Sequence, residues 1–527
     1  MGKFNKGSVA TAPTAPTSPI QAERHASGKT FEGGPGYARD AKGELFLLAV
    51  SNMVGEDTFY EAASDRDDRF AHLVAAVAVA DPQWMTGFLG WLRGDANMRS
   101  ASLAGALEAA KAMLTAGVPG SRAMVASVLQ RADEPGEALA YWVTRYGRAI
   151  PKPVKRGIAD AVACLYSSFS LLKYDTASKG YRFADVIDLV HPAPMATWQA
   201  DLFKVALERR HQRDTLSTDA LPMLVANAEL RAAADTDPGV LLDTNLLQAA
   251  GMTWEEALST AGSKVDKAKL WEALIPTMGY MALLRNLKGF DEAGVSDEAA
   301  AKAAARLADP VQVAKSRQFP FRFLAAFEQA PSLRWGHALD KALQASLSNL
   351  PALPGRSLIL VDTSASMTQR GMSARSKMTP AKAAAVFGVA LAAKGEQVDL
   401  HGFADGVFRH DVPKGASVIK EIARFTGRTG EVGHGTDIEG SVHATFKGHD
   451  RVFIISDMQT IGGRFGRGVT DAVPAEVPIY GFNLGGYEKA AIAGDANRHE
   501  FGGLTDATFR MVPLLEAGRN ATWPWAG

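Results

Sequence analysis

The sequence predicts a multidomain protein in which an α-helical part is followed by an α/β part. In residues 43–348 apolar residues recur three and four positions apart, and Gly and Pro separate the runs, which is typical of short amphipathic helices. Beyond residue 355 short β-branched runs alternate with helical patterns, which favours a mostly parallel sheet covered on both faces. No clean repeat is visible, so an α-solenoid of paired helices is predicted from periodicity alone.

Composition divides the chain into three segments. Residues 1–35 include a run rich in Ala, Thr, Pro, Ser and Gly that buries too little apolar surface to order itself, so we expect a disordered tail. Residues 36–354 form the predicted helical domain, and residues 355–527 form the predicted α/β domain. Strands are expected at Ser357–Val361, Gln397–His401, Arg451–Ser456 and Pro478–Phe482, with a further helix and strand after Gly503.

Charge and cysteine content limit the function classes. The 57 Lys and Arg residues equal the 57 Asp and Glu residues, so attraction to nucleic acid must come from local asymmetry. The single cysteine, Cys164, lies in an apolar helical pattern, which predicts a buried structural thiol. With no secretory signal and no run of about 20 apolar residues, we expect a cytoplasmic protein without membrane contact.

Small oxygen-bearing side chains follow two of the predicted strands. Asp362, Ser364 and Ser366 come directly after the first strand, Thr436 lies on a glycine-flexed loop, and Asp457 follows the strand Val452–Ser456. The carboxyl edge of a parallel sheet is where ligands bind, and this oxygen set suits a hard cation such as Mg²⁺. An isolated Asp-x-Ser-x-Ser is also compatible with an ordinary helix-capping turn.

This ordered set resembles the metal-ion-dependent adhesion site (MIDAS) of a von Willebrand factor A domain. The resemblance implies a doubly wound, Rossmann-like sheet and a metal shell of Asp362, Ser364, Ser366, Thr436 and Asp457, with the two aspartates partly acting through water. Asp437 is expected to be a helix N-terminal acid instead. The cofactor is expected to be a divalent ion, with Mg²⁺ the best fit to the hydroxyl-rich ligands.

A basic segment stands out in the helical domain. Residues 145–182 carry eight basic side chains against two acidic ones, a local net charge of +6, and aromatic residues are interleaved with them. Basic groups bind phosphates and exposed aromatic rings stack on unpaired bases. A solvated basic face with its aromatic residues in the core explains the composition equally well. The basic residues are Arg145, Arg148, Lys152, Lys155, Arg156, Lys173, Lys179 and Arg182.

The helical domain also resembles the TROVE module of the Ro autoantigen family, and most closely its bacterial branch. The similar segments occur in family order, and together with the metal motif they span about residues 30–520. They are Asn97–Ser100, Arg131–Pro135, Trp142–Ile150, Gly157–Asp160, Leu172–Tyr174, Asp185–Pro192, Met281–Leu287 and Arg317–Phe321.

The resemblance implies a ring of HEAT-like helical repeats bridged by the A-type domain. It implies Y-like noncoding RNA on the outer surface and single-stranded 3′ ends of misfolded or precursor RNAs in the central hole. Lys173 and His191 match family residues that are needed for binding Y RNA. Without the resemblance, a single histidine beside a proline, such as His191, is more typical of a helix end or of the core. Lys315 and Arg317 are further candidates for phosphate contacts. The implied partner is a 3′-exoribonuclease such as polynucleotide phosphorylase.

Two other function classes stay open. A protein adaptor without RNA would use the solenoid and the metal site for partner binding. A metal-dependent hydrolase is disfavoured because the metal shell is poor in acids and lacks a His or Glu placed as a general base, so we expect no enzymatic activity.

Overall fold

The computed structural model describes residues 15–51, 54–211, 220–373, 376–463 and 468–526. Helices fill the first two thirds of this chain and alternate with strands in the last third, as the periodicity predicts. The helices of the helical domain are α1 Ala41–Ser51, α2 Ala63–Ala80, α3 Pro82–Gly94, α4 Arg99–Ala116, α5 Ser121–Val128, α6 Glu134–Tyr146, α7 Lys152–Leu165, α8 Ser168–Tyr174, α9 Phe183–Val190, α10 Thr197–Arg210, α11 Pro222–Thr236, α12 Thr244–Ala249, α13 Trp254–Ala261, α14 Lys267–Leu274, α15 Tyr280–Arg285, α16 Leu287–Ala293, α17 Asp297–Ala308, α18 Pro310–Ser316, α19 Pro320–Gln329 and α20 Leu333–Ser346.

The strands and the remaining helices follow the same chain order. The strands are β1 Gly28–Lys29, β2 Pro35–Gly36, β3 Arg356–Asp362, β4 Gln397–Phe403, β5 Val407–Arg409, β6 Arg451–Ser456, β7 Ile479–Asn483 and β8 Arg498–Gly502. The helices of the α/β domain are α21 Ala365–Thr368, α22 Pro380–Lys394, α23 Val418–Thr426, α24 Ile438–Thr445 and α25 Met511–Glu516.

Local capping signals set the helix boundaries. Asp81 accepts a hydrogen bond from the Trp84 N–H at 3.0 Å, and Pro82 stands at the first position of α3, where no N–H is needed. Gly117 ends α4 with φ 73°, a left-handed conformation that favours glycine. Short helices with sharp ends allow the chain to turn back repeatedly, which produces the packed pairs of helices.

The helical domain closes on itself. Most of its helices pack against near neighbours in sequence, while α1 contacts β8, α19 contacts α22 and α20 contacts α23. The series therefore begins and ends on the α/β domain. Direct contacts also cross the closure: the Asn97 side chain donates to the Arg317 carbonyl at 2.9 Å, and the Arg317 guanidinium donates to the Gly94 carbonyl at 3.1 Å. These contacts make the helical domain a ring.

The α/β domain contains a six-stranded sheet in the order β5-β4-β3-β6-β7-β8. All neighbours are parallel except β5, which pairs antiparallel with β4 at the edge. The central strands β3 and β6 are buried almost throughout, as their continuous apolar runs predict. Because β3 and β6 are hydrogen-bonded neighbours, their carboxyl ends meet at one edge of the sheet.

The prediction of a disordered tail up to residue 35 does not hold for residues 15–35. Residues 15–40, the N-terminal arm, form the β1–β2 hairpin and pack on the α/β domain. Tyr37 exchanges backbone hydrogen bonds with Ala490, and Arg39 forms a buried bidentate ion pair with Glu500 at 2.6 Å. Backbone hydrogen bonds to the α/β domain order the arm. Its low content of apolar residues gave no sign of this pairing. Residues 1–14 of the predicted tail lie outside the described residues.

The C-terminal residues return to the helical domain. Trp523 and Trp525 stack on each other at 5.4 Å and pack on Phe46 and Trp84. Gly87 admits Trp525, because a Cβ at this glycine would overlap the indole ring. The last residues thus tie the α/β domain to α1 and α3.

Two further findings bear on the sequence predictions. Cys164 is exposed, so the prediction of a buried thiol was wrong: its position near the end of α7 faces solvent although the helix is otherwise apolar. No helix of the described residues is long and apolar enough to cross a membrane.

Candidate functional site

The predicted metal ligands lie at the carboxyl edge of the sheet. Asp362 is the last residue of β3, and Asp457 directly follows β6, its neighbour in the sheet. The two side chains are almost fully buried, with 0% and 3% exposure. Adjacent parallel strands that end in aspartate therefore bring two carboxylates together in a site shielded from solvent.

The turn after β3 presents its hydroxyls to the same place. The Ser364 N–H donates to Asp362 Oδ1 at 2.8 Å, which folds the turn back on the carboxylate. The Ser364 and Ser366 hydroxyl oxygens lie 3.2 Å apart. The Ser456 hydroxyl donates to Asp362 Oδ2 at 2.5 Å, so both oxygens of this carboxylate are held in place.

The loop that carries Thr436 docks on this turn. The Ala365 N–H donates to the His434 carbonyl at 2.8 Å, and Thr436 is 1% exposed. A glycine is required at position 435, because a Cβ there would overlap the Asp405 carboxylate. Asp437 caps α24 by accepting from the Gly440 N–H at 2.8 Å, which confirms its prediction as a helix N-terminal acid.

The turn after β6 is shaped around Asp457. Met458 is fully buried and has φ 59°, a left-handed conformation that is strained for a side-chain-bearing residue and is found at functional sites. This conformation lets the Gln459 N–H donate to Asp457 Oδ1 at 3.1 Å. The other oxygen, Oδ2, is buried without a hydrogen-bond partner. A bound cation would satisfy this oxygen.

The electrostatics of the pair also fit a cation. Burial raises the pKa of Asp362 and of Asp457, and the charge of Asp362 raises the pKa of Asp457 further. Two buried carboxylates side by side lack a compensating positive charge, which a divalent ion would supply. Within the described residues no three His, Cys, Asp or Glu side chains form a metal-binding group, so the candidate shell has two carboxylates and three hydroxyls.

Two residues beside this shell carry no signal in the sequence. Glu32 of the N-terminal arm accepts a hydrogen bond from the Tyr60 hydroxyl at 2.5 Å. The negative charge of Glu32 makes a minor contribution to the raised pKa of Asp362 and of Asp457. A small cavity of about 40 Å³ beside the candidate shell is lined in part by Ser366, Asp457 and Tyr487.

The basic segment divides into free and paired cations. Five of its cations, the free cations, have no ion pair among the described residues, and four of them are exposed. Four of the five surround the start of α7, where the nearby Asp160 is bound to Arg122 at 2.7 and 2.8 Å. The free cations are Arg148, Lys152, Lys155, Arg156 and Lys173.

The other three cations of the segment hold the helices together. Arg145 binds Glu108 at 2.8 Å, and Arg182 binds the buried Asp175 at 2.6 Å. Lys179 lies 3.1 Å from Asp133, a residue whose side chain is 4% exposed. Their charges are neutralised within the fold, which the local count of charges did not show.

The aromatic residues of the basic segment mostly belong to the core. Trp142 and Tyr166 are 1% and 2% exposed, so they cannot stack on a base, and the core interpretation is right for them. Phe169 is 44% exposed. The Lys173 ammonium lies 5.6 Å from the Phe169 ring and 5.3 Å from the Tyr174 ring, which places a cation beside an accessible aromatic face.

The remaining candidates lie elsewhere on the ring. His191 is exposed and forms the left-handed C-cap of α9 with φ 48°, consistent with the helix-end reading. Lys315 is exposed near the end of α18. Arg317 is also exposed, but it makes the ring-closing contacts to Gly94 and Asn97 described above.

Comparison with known proteins gives a family match to one part of the helical domain and a likeness in fold over most of the chain. A family profile described as the TROVE domain matches residues 247–334. The crystal structure of the Deinococcus radiodurans Ro (RSR) protein superposes with a TM-score of 0.59 at 18% identity, over 89% of this chain and 99% of that chain. This chain has the fold of the Ro (RSR) protein and contains a segment that matches the TROVE domain. The fold class predicted from the sequence is thereby confirmed, and the resemblance to the TROVE module is confirmed over residues 247–334.

The similarity to curated sequences is confined to a short segment. Telomerase protein component 1 from Mus musculus is 41% identical over 83 residues, and its counterpart from Rattus norvegicus is 40% identical over 83 residues. The match covers 15% of this chain and 3% of the length of these relatives. The TROVE match contains Lys315 and Arg317 but not the basic segment.

Proposed function

We propose that this TROVE-domain protein is a non-enzymatic RNA-binding ring that acts in RNA quality control, processing or decay. Y-like noncoding RNA binds its outer surface, and single-stranded 3′ ends of misfolded or precursor RNAs enter its central hole. A 3′-exoribonuclease such as polynucleotide phosphorylase acts on the bound RNA as a partner. The proposal is supported by the TROVE match, the Ro fold and the exposed charge of the helical domain.

The observation that carries the proposal is the group of free cations around the start of α7. Lys152, Lys155 and Arg156 lie in the first turns of this helix, where the helix dipole disfavours positive charge. No acidic residue stands in the first turn, and no acid of the described residues pairs with these three. Their charge is therefore available to the phosphates of an external polyanion, which supply most of the affinity in RNA binding.

Lys173 adds a second kind of contact. Its ammonium group stands beside the exposed Phe169 ring at the surface of α8. A phosphate bound by Lys173 would bring an unpaired base within reach of this ring, and stacking of a base on an aromatic side chain stabilises binding by about 1–3 kcal/mol. This combination favours RNA with unpaired nucleotides over a plain duplex.

We also propose that the shell of Asp362, Ser364, Ser366, Thr436 and Asp457 binds a divalent ion, with Mg²⁺ the best fit to its oxygen ligands. When bound, the ion supplies a positive charge at the sheet edge that an acidic group can approach. Asp362 and Asp457 neutralise the ion, and the hydroxyls fill positions that carry no charge. A shell with few acids and no adjacent general base supports binding rather than hydrolysis.

The test is to purify the protein from its native host and sequence the RNA that accompanies it. We expect enrichment of small structured RNAs and of RNAs with unpaired 3′ ends over a mock purification. Recovery of no RNA above the mock level, together with specific protein partners, would instead support the adaptor alternative.

A further inference from the structure

A cavity of about 550 Å³ lies where the helical domain meets the α/β domain. From the helical domain it is lined by residues of α19 and by Lys288 of α16. From the α/β domain it is lined by residues 372–373 and 376–378, which lie between α21 and α22. Sites for small molecules and cofactors measure about 300–1,000 Å³. The cavity is therefore large enough for a small organic ligand that touches both domains.

The α/β side of the cavity is held in shape by backbone hydrogen bonds. The Met372 N–H donates to the Met378 carbonyl at 2.7 Å, and the Ser376 N–H donates to the Ser373 carbonyl at 2.9 Å. Gly371 permits this close packing, because a Cβ at this position would overlap the Ser376 carbonyl oxygen. This side of the cavity is thus formed without a ligand.

The charged groups that line the cavity are mostly cations. They are Lys288, Arg322 and Lys377, against one acid, Glu328. The Glu328 carboxylate is already bound by the Lys382 ammonium at 2.7 Å, a contact that also joins α19 to α22. The cavity therefore offers positive charge to a ligand from both domains.

Two of these cations have no acidic partner in the fold. Arg322 and Lys377 form no ion pair among the described residues, and the pair of Lys288 with Glu292 is long, at 3.6 Å, and mostly exposed. Partial burial lowers the pKa of Arg322, and the positive charge of Arg285 lowers it further. An anion beside Arg322 would offset both effects.

Apolar and hydrogen-bonding groups complete the lining. Phe321, Met372 and Met378 supply apolar surface, and methionine side chains adapt to the shape of a ligand. The hydroxyls of Ser373 and Ser376 can donate and accept hydrogen bonds. Inorganic phosphate would use the cations alone. A ligand that combines a phosphate, a sugar and a flat base would use all three kinds of group.

We propose that this cavity binds a nucleoside phosphate, with its phosphate at Arg322 and Lys377 and its base against the apolar lining. The planar guanidinium of arginine matches two phosphate oxygens, and lysine adds a compact charge. The phosphate belongs either to a free nucleotide or to the terminal nucleotide of an RNA, which present the same chemistry. The inference goes beyond the proposed function, because these residues are not among the free cations around α7.

The test measures binding of the nucleoside 5′-monophosphates to the full chain by calorimetry, beside inorganic phosphate and the matching nucleosides. We expect binding of at least one monophosphate, and we expect Arg322→Gln and Lys377→Gln each to weaken it about tenfold or more, because each removes a charged hydrogen-bond donor. Arg209→Gln is the matched control, since Arg209 is an exposed residue of α10 without an ion pair among the described residues. Melting temperatures of the variants should stay close to that of the unmodified protein.

A short oligonucleotide with a 5′-terminal phosphate identifies the source of the ligand. Tighter binding than that of the monophosphate supports the end of an RNA, and weaker binding supports a free nucleotide. In both cases Arg322→Gln should weaken binding and Arg209→Gln should not.

Three results would overturn the inference. The first is that neither a monophosphate nor the phosphorylated oligonucleotide binds. The second is binding that Arg322→Gln and Lys377→Gln leave unchanged, or that Arg209→Gln weakens equally. The third is inorganic phosphate bound as tightly as the monophosphate, which would exclude a role for the apolar lining. None of these results changes the recovery of RNA with the protein from its native host, so this inference and the proposed function fail separately.

Discussion

Replacing Arg148, Lys152 and Arg156 by alanine should weaken the binding of structured RNA by removing phosphate contacts. All three side chains are exposed, and none has an ion pair among the described residues. Their removal leaves no buried acid unpaired, so the free energy of unfolding should change by no more than about 0.5 kcal/mol per substitution. The variant therefore separates RNA contacts from stability.

The size of the effect follows from counterion release. Each phosphate contact contributes about 0.7–0.9 to the slope of log affinity against log salt concentration, so losing three contacts should reduce that slope by about 2 to 3. The loss of affinity should be largest at low salt, because the released counterions gain most entropy there. A short unstructured oligonucleotide that enters the central hole should lose less affinity than a structured RNA.

Filter binding at several salt concentrations measures the slope, and a thermal melt checks the fold. The matched control replaces Lys414, Lys420 and Lys447 by alanine, which removes the same charge from exposed positions of the α/β domain. An equal fall in affinity and slope for both triple variants would show a general charge effect. An unchanged slope in the first variant would refute the assignment of the free cations to phosphates.

Four further predictions follow from the same contacts. Asp362→Ala should abolish Mg²⁺ binding in calorimetry but leave RNA affinity in gel shifts nearly unchanged, and a large loss of RNA binding in the folded variant would contradict the separation of the two domains. Because Lys179 pairs with Asp133, Lys179→Ala should lower the free energy of unfolding by about 1 kcal/mol and so lower the melting temperature. The slope of log RNA affinity against log salt concentration should not change. A smaller slope with unchanged stability would instead show that Lys179 contacts RNA. Trp525→Ala should destabilise the fold by about 2 kcal/mol, roughly half the cost of a fully buried Trp, because it removes packing on Phe46 and Trp84, and an unchanged melt would refute this. Burial lowers the pKa of His499 to about 4; the charge of Arg498 lowers it further and the charge of Glu516 opposes the shift. Between about pH 6.5 and pH 4 the unfolded chain therefore takes up a proton at this histidine that the folded protein does not, so stability should fall as the pH falls through this window. In His499→Phe the melting temperature should depend less on pH over the same range.

Local sequence patterns predicted the central strands, which carry the candidate site, better than the two outermost strands of the sheet. Asp362 and Asp457 follow continuous apolar runs, and those runs are the central strands β3 and β6. The strand β8 is Arg498–Gly502, whose polar sequence gives no strand signal although every residue is buried. Its polar groups are satisfied by partners far away in sequence, such as Arg39 for Glu500. The three-residue strand β5 is too short to produce a periodic signal.

Charge was visible in the sequence, but its pairing was not. Arg182 and Asp175 are close in sequence, yet nothing in their spacing indicates the ion pair that they form. Lys179 meets Asp133, which lies 46 residues earlier. The docking of Thr30 on Thr460 likewise joins residues 430 positions apart. Contacts of this kind depend on how the helices and the arm pack in three dimensions, which no local pattern encodes.

The central claim is that RNA binds the free cations around α7. Ultraviolet crosslinking of the full-length protein to RNA in its native host, followed by mass spectrometry of the crosslinked peptides, locates the contacts on the chain. We predict crosslinks in peptides that contain residues 148–156 and residues 169–173, and their loss in the variant that lacks Arg148, Lys152 and Arg156. Crosslinks confined to the α/β domain, or their absence from the helical domain, would contradict the account.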